Sequence, residues 1–487
     1  MATSRAKLWW VLLFAAGTSC RGGVAEGSAP RPKPRDAAVG PTEGKAAGPA
    51  VASQCRDGLD NDADGLSDGD DLGCTSPNDA SEGGVPSGTI EEEWTVFEPE
   101  PGARMVYVSS SVGKDSYDGL APEPGARGRG PKQTLAAGRA LLRAGGSDWL
   151  RLRRGDVWTE SLAPDAVSGK SPTAPTVYAP YGRGAEPRVV VDAYFRRPGT
   201  QNVALLGIDF GNASVHGGGG SGITNLLIEG CRFARNPLGA IYFEGPRDLS
   251  LKYIRVRNNV INSTGDNATY FVGVTGLLFE GNIIYRPATQ NTYNHAVYIT
   301  RIGNSEIHTA KNLVLMGKPG GMGIMQRAGG VSEYNVIADV GGAGIPMGEC
   351  NDEGGPGAAP CLPPVPATIR HNLIAGIRAD ASLGLGIFVK SDYISAGTVT
   401  DNLVSDSRRG DYQWGDRIKA SNNRQLQPPY SGAPKDASLL AAYHLSIGGK
   451  GDVEVFFEEA MDRTRFHDQD PRYRAAEIIQ FAQQQGR

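Results

Sequence analysis

The sequence predicts an all-β chain folded as a right-handed single-stranded parallel β-helix, a solenoid with a capping helix at its N-terminal end and capping helices at its C-terminal end. Three observations predict it. Glycine makes up 67 of 487 residues while aromatic and charged contents are ordinary, so the excess serves turns rather than disorder. A strand, a tight turn closing on Asn, or on Cys231 in the first copy, and a second strand recur seven times between Ile228 and Val404. A second, apolar pattern recurs between those copies, and two repeats in step at this period mean stacked coils.

The elements follow in chain order. Arg5 and Lys7 precede the apolar run Leu8 to Ala16, which is too short to span a bilayer but has the length of a signal-peptide core. Export is therefore expected, with residues 1–20 as the signal. Ala15-Ala16-Gly17-Thr18-Ser19-Cys20 resembles a lipoprotein signal sequence, although Gly17 stands where that family prefers an aliphatic residue. The resemblance implies lipidation of Cys20 and a lipid tether to the outer membrane or cell surface; ordinary cleavage into the extracellular space is the alternative. Residues 21–52, rich in Ala, Gly, Pro and charge, read as a flexible linker.

Residues 53–83 read as an acidic calcium-binding loop. Asp60, Asp62, Asp64, Asp68 and Asp71 place oxygens at positions 1, 3, 5, 9 and 12 of a calcium loop, with Gly65 at the sharp bend and the Leu66 carbonyl at position 7. Crowded carboxylates repel unless a hard cation neutralises them, so calcium is the expected cofactor. Asp71 replaces the usual bidentate Glu and no helices flank the loop. Cys55 and Cys74 bracket it and read as a clamping disulfide, as in acidic Asp-rich calcium repeats of exported proteins. A disordered acidic spacer is the other reading. Cys350 and Cys361 bracket a Gly/Pro-rich loop and read as a second local disulfide, whereas Cys231 sits in a strand-like context and reads as a small buried filler.

Residues 84–104 read as a second linker, residues 105–437 as the β-helix and residues 438–487 as a helical cap. Met105-Val106-Tyr107-Val108 opens the short β-branched runs. A helical stretch at Gln133 to Ala144 carries Leu135, Leu141 and Leu142, enough apolar surface to cover the open end of a solenoid. The turn column falls at Cys231, Asn259, Asn282, Asn312, Asn335, Asn372 and Asn402, in steps of 28, 23, 30, 23, 37 and 30 residues. Asn tolerates a left-handed bend, its amide can bond neighbouring backbone, and stacked copies can form a ladder. In the apolar column, Ile241, Val297, Ile324 and Ile387 are expected inward, and Tyr242, Tyr298, Met325 and Phe388 outward. Val453 to Arg463 and Tyr473 to Gln484 read as amphipathic helices covering the last coil.

These repeats, the entry Tyr107-Val108-Ser109, Leu152-Arg153-Arg154-Gly155-Asp156-Val157-Trp158, and Tyr178-Ala179-Pro180-Tyr181-Gly182-Arg183-Gly184 before Pro187 resemble the pectate-lyase-like superfamily of right-handed parallel β-helices. The resemblance implies the fold and an acidic polysaccharide as partner. It leaves the reaction open, because that superfamily includes lyases, hydrolases, epimerases and proteins without catalysis.

Net charge is −4, and residues 55–82 alone hold nine acids against one Arg, so no polybasic patch exists for nucleic acid. A polysaccharide lyase needs a cation over the uronate carboxylate and a base beside it. His295, Tyr298, Arg327 and Lys390 are the candidate catalytic residues, and Tyr242, Glu244, Arg301 and Phe388 the candidate substrate-binding ones. A solvated mixed-charge sheet face with a chance His is the competing reading. The coils carry no paired acidic cluster suited to glycoside hydrolysis, and the sequence has no phosphate loop, no Ser-His-Asp spacing and no zinc signature. The expected function is binding, and lyase-type cleavage or epimerisation, of acidic polysaccharide; the alternative is a non-catalytic calcium-binding adhesion protein.

Overall fold

A computed structural model describes residues 89–485, apart from 92–93, 219–221, 246–250, 290–294, 301, 318–320, 349–364, 378–383, 391–393 and 406–409. The signal segment with Cys20, the first linker and the calcium loop from Asp60 to Asp71 lie outside the described residues. So do Cys55, Cys74, Cys350, Cys361 and Arg301.

From Met105 to Leu426 the chain winds through three parallel sheets of twelve, eleven and nine strands, in a right-handed β-helix. Each coil between the ends gives one strand to each sheet, and the terminal coils give fewer. One coil runs through Ile223–Glu229 in the twelve-stranded sheet, Arg232–Ala234 in the eleven-stranded sheet and Ile241–Glu244 in the nine-stranded sheet. The next coil repeats the order in register, with Ile228 opposite Val256, Phe233 opposite Ile261 and Ile241 opposite Thr269. Alternation along each strand sends one set of side chains into a common interior. Ile241, Val297, Ile324 and Ile387 are fully buried there, as the periodicity predicts. Met325 holds its place in the outward column yet is only 1% exposed.

The corner between the twelve- and eleven-stranded sheets is built by the asparagine column. Asn259 Nδ2 donates to Asn282 Oδ1 at 2.9 Å, Asn282 to Asn312 at 3.0 Å, Asn312 to Asn335 at 2.8 Å and Asn335 to Asn372 at 2.9 Å. The ladder continues through Asn402 to Asn423. Each amide also donates to a carbonyl of the preceding coil, as Asn259 does to Ile228 at 2.9 Å. Cys231 occupies the first rung, and its thiol points at the equivalent carbonyl, Leu205, at 3.6 Å. The left-handed backbone falls one residue earlier than expected. Asn258, Lys311, Tyr334, His371 and Asp401 have φ between 52° and 58°, while Gly230 and Gly281 have φ of 65°. The Asn side chain therefore satisfies buried amides and carbonyls, and its neighbour makes the bend.

The chain itself covers the first coils, the outer face of the eleven-stranded sheet and part of that of the twelve-stranded one. α1 (Leu135–Arg139) packs on the first coils, and a Cβ at Gly138 would lie 2.3 Å from Val108 Cγ1. It is shorter than the predicted stretch, the chain passing into turns after Arg139. The C-terminal region holds three helices where two are expected: α2 (Leu439–Ser446), α3 (Val453–Asp462) and α4 (Ala475–Gln484). They lie along the flank of the eleven-stranded sheet rather than over the last coil. Phe457, Leu440 and Ile479 share an apolar layer there with Val260, Ile283, Leu313, Val336 and Leu373. The outward residues of those short strands are apolar and demand such a cover.

Part of the expected second linker is also docked. Strands Thr89–Glu91 and Trp94–Val96 pair antiparallel, and the buried Glu229 carboxylate accepts the Thr95 N–H at 3.0 Å. Trp94 meets Phe466 edge-on at 5.7 Å, so chain segments from both ends of the described region meet on the outer face of the twelve-stranded sheet. A Cβ at Gly230, already at φ 65°, would lie 2.5 Å from the Phe466 ring.

Candidate functional site

The outer face of the nine-stranded sheet carries the candidate site. Strand pairing sets Tyr194, His216, Tyr242, Tyr270, Tyr298 and Met325 side by side on successive coils. All but Met325 are half-buried. Ring centroids follow one another at 5.1, 5.7, 5.7 and 5.3 Å from Tyr194 to Tyr298, within the range of favourable aromatic pairs. The Tyr242 hydroxyl lies 3.1 Å from the carbonyls of both Leu238 and Asn267, and burial pushes its pKa up, so it stays a neutral donor.

His295, Tyr298 and Arg327 converge at the far end of this strip. The His295 ring stacks on Tyr298 at 4.4 Å and 14°, and the Arg327 guanidinium lies 5.0 Å from the same ring. The Asn267 amide fixes the imidazole. Its Nδ2 faces Asp266 Oδ1 at 3.2 Å, which leaves Oδ1 to accept the His295 backbone N–H at 2.8 Å and the ring Nδ1 at 3.0 Å. A carbonyl-type oxygen accepts only, so in neutral His295 the proton sits on Nδ1 and Nε2 is the unprotonated ring nitrogen.

The remaining predicted residues are spread out. Lys390 follows the strand Leu385–Val389, two strands beyond the one that Arg327 follows, or roughly 10 Å at ordinary strand spacing. Phe388 is three strands from Tyr298, with Met325 and Pro346 between them. Glu244 is exposed beside Val272, and Tyr242 lies two rungs from Tyr298 with Tyr270 between. The structure thus brings together three of the eight predicted residues and leaves Lys390 and Phe388 apart. Among the described residues no group of His, Cys, Asp and Glu is placed to hold a metal ion.

The family model described as "Right handed beta helix region" matches residues 228–424. The fold is that of a right-handed β-helix. No curated protein matches the chain. Among solved structures it is similar to the GH136 lacto-N-biosidase from Eubacterium ramulus, with 12% identity over 66% of this chain and 67% of that one and a TM-score of 0.37. It is also similar to a rhamnogalacturonan lyase, with 12% identity over 66% and 87% and a TM-score of 0.35. For pectate lyase Pel9A the values are 13% identity, 68% and 75%, and 0.31.

Sequence reasoning missed Tyr194, His216, Tyr270 and the Asp266-Asn267 pair. Tyr270 and His216 do carry a signal, because each follows a buried small or β-branched residue at the column position, Thr269 and Val215.

Proposed function

We propose that the protein is exported and surface-tethered, and that it binds acidic polysaccharide along the nine-stranded sheet and cleaves it by β-elimination beside His295. The observation that carries this reading is the contact of the Tyr298 ring with both the His295 ring, whose Nδ1 meets Asn267 Oδ1, and the Arg327 guanidinium. Arg327 sits where a cation can take up the charge that develops on a uronate carboxylate. His295 Nε2 removes the proton from the ring carbon next to that carboxylate, and the C–H electrons form the new C=C bond. The bond from the adjacent carbon to the glycosidic oxygen breaks, and that oxygen takes its proton from the Tyr298 hydroxyl. An epimerase would use the same base and return a proton to the opposite face of the carbon.

The test is absorbance of unsaturated uronic products from pectate, alginate and hyaluronan. Cleavage of one of them, lost by on the order of a hundredfold or more in His295→Ala, is expected for removal of a general base. Binding of a glycan without product would favour the adhesion reading, and undiminished cleavage by His295→Ala would remove this site.

Calcium is proposed to sit in the Asp60 to Asp71 loop, where it would stiffen the segment between tether and solenoid. Titration of the full mature chain should give a dissociation constant of about 10⁻⁴ to 10⁻³ M, abolished in Asp62→Asn/Asp64→Asn. No heat at millimolar calcium would reject that assignment.

A further inference from the structure

The eleven-stranded sheet buries its apolar outer face under α2 to α4, and the twelve-stranded sheet buries that of its strands up to Ile223–Glu229 under Phe97 and Phe466, its later strands presenting polar residues such as Lys252, Glu306 and Lys419. The nine-stranded sheet instead keeps a continuous row of aromatic rings half-exposed, from Tyr194 to Tyr298. Its N-terminal end repeats the grouping at the other end. The His216 ring stacks on Tyr194 at 5.1 Å and 16°, and the exposed Arg196 guanidinium lies 4.0 Å from the Tyr194 ring centroid. Asp192 holds this group in place, its Oδ2 accepting the Tyr194 hydroxyl at 2.9 Å and its Oδ1 the Ser214 N–H at 2.8 Å. Burial lowers the His216 pKa against the opposing pull of Asp192, so the imidazole is neutral at pH 7 and Arg196 is the cation facing solvent.

We infer that Tyr194, Arg196 and His216 form a remote subsite, and that the strip between it and His295 is a track for one extended acidic glycan laid parallel to the solenoid axis. This rests on the glycan reading above and extends it to the ligand's length and direction. Four coil steps separate Tyr194 from Tyr298, or roughly 19 Å at ordinary strand spacing, so the occupant must be a linear oligomer rather than a single sugar. The repeat is one ring per coil, which matches a chain of pyranoses presenting an apolar C–H surface at each unit. The exposed Arg196 supplies a cation for its carboxylates at one end, and the largely buried Arg327 lies beneath the other. A peptide added as a β-strand fits less well, because the strands between the two ends are already paired on both sides and offer no free backbone edge.

The test is calorimetric titration of the full mature chain with trimers and octamers of galacturonate, alginate and hyaluronan. The native protein should bind the octamer of one of these at least tenfold more tightly than its trimer. Arg196→Ala and Tyr194→Leu should each bring that ratio to within threefold, mainly by weakening the octamer. Arg196 is exposed, so its variant decides the matter if Tyr194→Leu folds poorly. An octamer-to-trimer ratio near one in the native protein, or one unchanged by Arg196→Ala, would overturn the track while leaving the His295 site standing. No binding of any of the six oligomers would overturn the glycan reading itself, and the track with it.

Discussion

The chemistry proposed for His295 depends on one amide. Asn267 Oδ1 accepts from Nδ1 of the ring, and Asp266 settles which end of the amide is oxygen. Asn267→Ala removes that acceptor, so both tautomers of neutral His295 become populated and the Nε2 base is present in only part of the molecules. Nitrogen NMR of the ring should show an Nδ1–H tautomer in the native protein and a mixture in the variant. Cleavage, where a substrate is found, should fall by about tenfold or more, as for loss of a general base's alignment. An unchanged tautomer in Asn267→Ala would mean that another contact orients the ring. At the same scale Cys231 shows how a position tolerates a poor mimic: the thiol faces the carbonyl that an Asn amide would reach, and burial pushes its pKa up to about 12. It acts as a weak donor and small core group and not as a reactive thiolate.

The element that unites the coils is the asparagine corner. Asn312 donates to Phe279 O at 2.9 Å and to Asn335 Oδ1 at 2.8 Å, and its Oδ1 accepts from the backbone and side chain of Asn282. Asn312→Ala leaves buried donors and acceptors on both neighbouring coils without partners, a loss on the order of 3 kcal/mol. The expected outcome is a lower midpoint in denaturant unfolding followed by tryptophan fluorescence, and a midpoint equal to the native one would mean that water replaces the rung. This corner was legible in the sequence because the same side chain solves the same problem in each coil from Asn259 to Asn402. The inward aliphatic column was legible for the same reason. The left-handed residue before each Asn was not, because Gly, Asn, Lys, Tyr, His and Asp all serve there. Tyr194 and His216 escaped because their coils lie before the first clear turn repeat at Ile228, and Asp266-Asn267 because loops between coils obey no period. The three helices were read as an end cap because amphipathicity reveals that a face is buried without revealing against what.

For the described molecule as a whole, the charges on the twelve-stranded sheet join segments far apart in sequence. Arg257 Nε donates to Glu280 Oε2 at 2.9 Å and its Nη1 to Thr95 Oγ1 at 3.0 Å, while Lys311 Nζ pairs with Glu280 Oε1 at 2.9 Å. Further along, Glu333 accepts from Arg370 Nε at 2.5 Å and pairs with His308 Nε2 at 2.9 Å. Burial alone would raise both carboxyls. For Glu280, Arg257 and Lys311 outweigh it and hold the group far below the usual carboxylate range. For Glu333, His308 and Arg370 outweigh it and bring the value to about 2. Both groups therefore stay ionised in the folded chain at pH values where the unfolded chain takes up protons. Their contribution is complete above the ordinary Glu pKa of about 4.5 and is lost as pH falls from there towards about 2. The melting temperature, followed by circular dichroism, should drop steeply below about pH 5. Glu333→Gln cannot gain a proton, so its melting temperature should start lower at pH 7 and change less over the acid range. Parallel acid limbs for native and variant proteins would show that Glu333 plays no part in holding these coils together.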